Sequence, residues 1–169
     1  MRRRGKYEVL TRQYNEYLPR VLNYMRLRVD DEALAQDLTA YTFERALARL
    51  HTLRDQEAFG GWLFAIARTQ VAAYYRRRHK LQVSLDELAD CPSPGEPVEG
   101  QVTRSEELAA LCCAIAALDE REQEIIRLRF VAGLTNRAIG KAMGLRDGHV
   151  AVILYRALRK VRARLEDEG

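Results

Sequence analysis

Residues 134–165, LTNRAIGKAMGLRDGHVAVILYRALRKVRARL, decide how the chain is read. They carry two helical patterns separated by a glycine. Thr135 is placed to cap the first, because its hydroxyl can accept from a free backbone N–H in the opening turn. Ile139, Ala142 and Met143 then supply one apolar face at spacings of three and four. Gly144 is the expected stop, since glycine enters the left-handed backbone conformation that a sharp helix end needs. Gly140 is expected to let two helices cross closely. Beyond the turn, Val150, Ile153, Leu154, Ala157, Leu158, Val161 and Leu165 keep a helical period over four turns. Arg156, Arg159, Lys160, Arg162 and Arg164 fall mostly off that stripe. The pattern is that of a helix-turn-helix whose second helix is free to enter a DNA major groove. Plain helical bundles use the same pattern, so the rest of the chain must decide between the two.

Upstream, Asp119 and Glu122 have the spacing of a capping box for a helix bearing Ile125, Ile126, Leu128, Phe130 and Val131. Gly133 should close it. Leu108 to Leu118 reads as one more helix. Residues 108–169 therefore form a four-helix module, small enough to be only marginally stable alone. Residues 81–107 differ in composition: Asp86, Glu87, Asp90, Glu96, Glu99, Glu106 and Glu107 accompany Pro92, Pro94, Pro97, Gly95 and Gly100. Such a stretch reads as a flexible acidic linker that fixes no geometry between its neighbours.

Residues 1–80 read as a first helical module. Leu18, Val21, Leu22, Met25 and Val29 place a helix over much of 6–29. Asp30 and Asp31 are cap candidates for a second, with Leu34, Leu38, Phe43, Ala46, Leu47 and Leu50. After the polar loop HTLRDQEAFGG, Trp62, Leu63, Ile66, Ala67, Val71 and Tyr74 mark a third, ending in YYRRRHK. Strict alternation is absent, so the fold class is all-α: two small helical domains joined by a linker.

Among 169 residues the net charge is only +4, but it is clustered at MRRRGK, at RRRHK (76–80) and beyond Tyr155. Such clusters suit nucleic acid, and equally suit solvated helix faces or cations at helix C-termini. Cys91, Cys112 and Cys113 lack disulfide or zinc spacing, and His51, His79 and His149 are scattered. Reduced thiols packed as small hydrophobes are the plain reading. There is no apolar run of membrane-spanning length and no secretion signal, so a cytoplasmic location is expected. No Ser/His/Asp set, carboxylate pair, phosphate loop or metal spacing stands out, so neither enzymatic activity nor a cofactor is expected.

DLTAYTF (37–43), GGWLFAIARTQVAAYYRRR (60–78) and LDEREQEIIRLRFVAGLTNRAIGKAMGL (118–145), in this order and spacing, resemble bacterial RNA polymerase sigma factors of the extracytoplasmic-function (ECF) class. The resemblance covers nearly the whole chain outside the linker. It implies a second sigma domain at the N-terminus and a fourth at the C-terminus. It assigns Asp37, Leu38, Tyr41 and Thr42 to the surface that docks on the β′ clamp helices of core polymerase. Residues 51–62 would capture an unpaired base of the −10 element, with Arg54 and Gln56 as polar edges and Phe59 and Trp62 as stacking surfaces. Arg68, Arg76, Arg77 and Arg78 would guide the non-template strand. The recognition helix would read the −35 element with Arg146, His149, Ala151, Val152, Tyr155, Arg156 and Arg159, behind Thr135, while the module rests on the β flap. An anti-sigma factor is a further partner of such proteins.

The physics suits those roles. Extruding a base costs a few kcal/mol, which stacking and phosphate contacts must offset. Trp62 is equally readable as a core residue. Two departures stand out. Ala40-Tyr41 replaces the Gln-Glu or Gln-Asp common in the family. Ala151, Val152 and Tyr155 give an apolar reading face suited to thymine methyls rather than guanine edges. Gly140 replaces a usual alanine. Two rival readings stay open: a dimeric helix-turn-helix regulator acting without polymerase, and a sigma-like decoy that binds polymerase or an anti-sigma factor without starting transcription.

Overall fold

The computed structural model describes residues 2–82 and 102–167, with side chains at 11–80 and 107–167. Most of the expected linker, Cys91 included, lies outside the described residues. Among the described residues all regular structure is helical. The α-helices are α1 (Arg2–Arg26), α2 (Glu32–Arg49), α3 (Phe59–Gln82), α4 (Val102–Ala116), α5 (Glu120–Ile126), α6 (Asn136–Met143) and α7 (Asp147–Asp167). Short 3₁₀ turns at Leu50–Thr52 and Gln56–Ala58 occupy what the sequence reads as a polar loop. A π turn at Arg127–Val131 follows α5.

The local signals act as expected. Asp31 Oδ1 accepts from the Leu34 N–H at 2.7 Å and caps α2. Asp119 Oδ1 accepts from the Glu122 N–H at 2.8 Å, and Glu122 returns a carboxylate to the Asp119 N–H, completing the capping box of α5. Thr135 Oγ1 accepts from the Ala138 N–H at 3.2 Å. Gly133 and Gly144 both take positive φ, 66° and 69°.

Two expectations need correction. The linker does not extend to 107, because α4 starts at Val102. Gly100 is the last helix breaker in that stretch, and Glu106 and Glu107 are good helix formers. Gly140 does not serve a helix crossing. A Cβ there would lie 2.6 Å from the Leu145 carbonyl oxygen, so glycine makes room for the turn between α6 and α7.

The two modules pack on each other. One hydrophobic core runs from Val21, Tyr24 and Met25 of α1 through Leu63, Phe64 and Val71 of α3 to Ile125, Leu128, Ile139 and Val150. A smaller core within the C-terminal module joins Ala114, Leu118, Ile126, Ala157 and Val161. The C-terminal unit thus completes its burial on the N-terminal one, which answers the shortage of core expected of so small a unit. At the seam, α3 meets α6 without side chains between them: a Cβ on Gly61 would lie 2.7 Å from the Ala138 carbonyl oxygen.

Candidate nucleic-acid and polymerase interface

The helix-turn-helix is built by α6 and α7. Val150, Ala157 and Val161 anchor α7 inward, and Ile153 and Leu154 pack against the cores. Leu158, read as part of the same stripe, remains 41% exposed. Turned outward are Arg146, His149, Ala151, Val152, Tyr155, Arg156 and Arg159, all exposed. Thr135 also lies at the surface while capping α6. Tyr155 is 64% exposed, and the Arg159 guanidinium lies 6.0 Å from its ring centroid. An apolar face fringed by cations therefore lies on the outer side of α7.

The basic end of α3 is likewise open. Arg76 and Arg77 are exposed and Arg78 is half-buried. Before α3, Arg54 and Gln56 project from the loop into solvent. Asp55 fastens that loop by accepting from the Glu57 N–H at 3.0 Å. The stacking pair divides. Phe59 is only 2% exposed and packs against Tyr17, so it is a core residue with no free face to offer a base. Trp62 is partly exposed, tilted against Phe59, with Nε1 donating to Thr52 Oγ1 at 3.3 Å.

The residues expected to dock on polymerase divide as well. Asp37 and Tyr41 are exposed. Leu38 is buried, and so is Thr42, whose hydroxyl donates to the Leu38 carbonyl. The two belong to the buried face of α2, beneath Asp37 and Tyr41. Tyr41 Oη accepts from Arg45 at 2.7 Å, and the same guanidinium covers the ring. At the Ala40-Tyr41 departure, Tyr41 is thus tied to a cation one helical turn on.

Arg68 departs furthest from expectation. Its Nε donates to Glu124 Oε1 at 3.0 Å and its Nη1 to the Ala142 carbonyl at 2.8 Å, both in the C-terminal module. Glu124 is 4% exposed. It also accepts from Tyr24 Oη at 2.7 Å and from Arg28 Nη1 at 3.2 Å, with Arg127 Nη1 3.6 Å away. One carboxylate thus faces three guanidiniums, and Arg28 Nε and Arg127 Nη1 stay buried without a hydrogen-bond partner. Burial, and then the neighbouring Glu124 charge, push the Tyr24 phenol far up, so it remains a donor. Burial and the adjacent Arg28 pull the Arg127 guanidinium down.

The sequence reading missed Tyr24, Arg28, Glu124 and Arg127. A faint signal existed: Glu124 stands four residues before Leu128, on the apolar stripe of its helix. Among the described residues no cluster of side chains has metal-binding composition, and no helix is long and apolar enough to cross a membrane.

Both modules match known proteins. The family pattern described as Sigma-70 region 2 matches residues 13–81, and Sigma-70, region 4 matches residues 114–163. The chain is 36% identical over 167 residues to the ECF RNA polymerase sigma factor BldN of Streptomyces coelicolor, covering 98% of this chain and 63% of that protein. The chain therefore spans less than two thirds of the length of BldN. It is 30% identical to the ECF RNA polymerase sigma factor ShbA of Streptomyces griseus, over 88% of this chain and 83% of that one. In fold it resembles the sigma factor RpoE of Bartonella quintana, solved with the anti-sigma factor NepR, at a TM-score of 0.64 and 20% identity, over 92% of this chain and 96% of that one. It also resembles CnrH, solved with the cytosolic domain of CnrY, at 0.62 and 21%, over 99% of this chain and 91% of that one.

Proposed function

The chain belongs to the ECF class of sigma factors, and from that premise we propose that it binds core RNA polymerase, selects promoters and opens them. The observation that carries this reading is the pairing of two different DNA faces in one chain. The outer face of α7 is rigid, helical and exposed from Arg146 to Arg159, which suits a duplex major groove. Exposed Arg76 and Arg77, with Trp62 and the Arg54–Gln56 loop, suit a single strand, whose bases need stacking and whose phosphates need cations. Neither face bears catalytic machinery; the chemistry of RNA synthesis is left to the polymerase.

On this reading Arg54 and Gln56 hold the edges of an extruded −10 base and Trp62 stacks on it. Asp37 and Tyr41 meet the β′ clamp helices, supported from below by Leu38 and Thr42. The C-terminal module reads the −35 element and rests on the β flap. An anti-sigma factor is the partner that holds the protein inactive, a proposal to which the complexes of RpoE and CnrH lend only a likeness of fold.

The test is to mix the purified chain with core polymerase and a panel of promoters and map transcript starts. Starts that depend on the chain support the proposal. Binding to duplex DNA without polymerase would instead make it a self-sufficient regulator. The Tyr41–Arg45 pair favours one second reading, a decoy, for which polymerase binding without any transcript is the diagnostic result.

A further inference from the structure

We infer that Glu124 is an internal competitor for nucleic-acid phosphate: its carboxylate holds the two modules closed through Arg28 and Arg68, and a strand that takes those arginines must part them. The inference rests on the sigma reading for its purpose, but not for its chemistry. A guanidinium donates to carboxylate and phosphate oxygens alike. Arg68 Nε and Arg28 Nη1 spend that capacity on Glu124, at 3.0 and 3.2 Å.

The site is also short of acceptors. Three guanidiniums share one carboxylate, and two of their nitrogens are buried without a partner. An incoming anion with several oxygens can satisfy groups that Glu124 leaves wanting. It has a way in. An open cleft of about 510 Å³ lies beside the cluster, lined by Tyr24, Arg28, Arg68, Arg121 and Glu124 among others.

Closure lays α6 against the start of α3 at Gly61 and Ala138. A small cleft there is lined by Asp55 and Glu57 on one side and Arg137 and Lys141 on the other. The −10 loop and the helix-turn-helix thus face each other with opposite charge.

Two variants of the full chain test the proposal. Glu124→Gln keeps the shape and removes the charge. Gly61→Ala leaves every charge in place and pushes on the Ala138 backbone. Small-angle scattering without polymerase should show both expanded relative to wild type, with helix content by circular dichroism unchanged. Both should bind a fluorescent single-stranded oligonucleotide about tenfold more tightly, and adding Arg68→Ala to Glu124→Gln should abolish most of that gain. The oligonucleotide should also expand the wild-type chain. Compact variants would overturn the latch. Expanded variants with wild-type affinity would overturn the competition with phosphate. If Glu124→Gln loses helix, Gly61→Ala decides both points. Promoter-dependent transcription by the wild type is scored separately: its absence would sink the sigma reading and leave the scattering and affinity results standing.

Discussion

A methyl group on residue 140 would press on the Leu145 carbonyl, a rigid backbone group at 2.6 Å. Gly140→Ala should therefore lower stability by about 1–3 kcal/mol, the usual range for overpacking, seen as a lower urea midpoint. Tyr24 gives a prediction in pH. Its phenol titrates far above its ordinary value of 10.0, through burial first and the Glu124 charge second. A group with a raised folded pKa contributes stability that is complete below its unfolded pKa and lost as pH rises beyond it. Thermal melts should therefore show wild type losing stability above about pH 10, and Tyr24→Phe, though weaker at neutral pH, showing a flatter alkaline limb. Caps at Asp31, Asp119 and Thr135 and the stop at Gly144 were legible in the sequence because each acts on its own neighbours. The burial of Phe59 and Thr42 was not, since a helix period names an inner face without saying how far round its partners reach, whereas Leu38 stood on the apolar stripe from the start.

Among the elements, α6 depends on its cap. Thr135→Ala leaves the Ala138 N–H without its side-chain acceptor and should cost about 0.5–2 kcal/mol, measurable by chemical denaturation. On α7 the outward residues should separate function from folding. Tyr155 is 64% exposed, so Tyr155→Ala should leave the melting temperature nearly unchanged. It should reduce discrimination for the cognate −35 element by about 1–3 kcal/mol, read by competition between promoters in the polymerase complex. On α3, Arg77→Ala should weaken promoter opening and flatten its dependence on salt by roughly 0.7 in logarithmic slope, the share of one single-strand phosphate contact. Unchanged opening would return Arg77 to an ordinary solvated face. The helix-turn-helix could be read from its glycine and its stripe. The π turn at Arg127–Val131 could not, because nothing in RLRFV departs from an ordinary helical pattern. Its wide hydrogen bond, from the Ala132 N–H to the Arg127 carbonyl at 3.0 Å, is a choice made by packing.

The whole molecule holds what a linear reading could least supply. An acidic, proline-bearing stretch announces freedom between its neighbours, and composition gives no hint that the neighbours grip each other directly. Glu124 and Tyr24 meet across 100 positions of sequence, and Arg68 reaches Ala142 across 74. Only the apolar residues left over on each module, Ile139 and Val150 on one and Leu63 and Phe64 on the other, implied that something had to cover them. The seam at Gly61 then has an asymmetry of inheritance. No residue is smaller than glycine, so every substitution there adds atoms that press on the Ala138 backbone. Random mutation at this spot therefore runs one way, and scattering should find no Gly61 variant more compact than wild type.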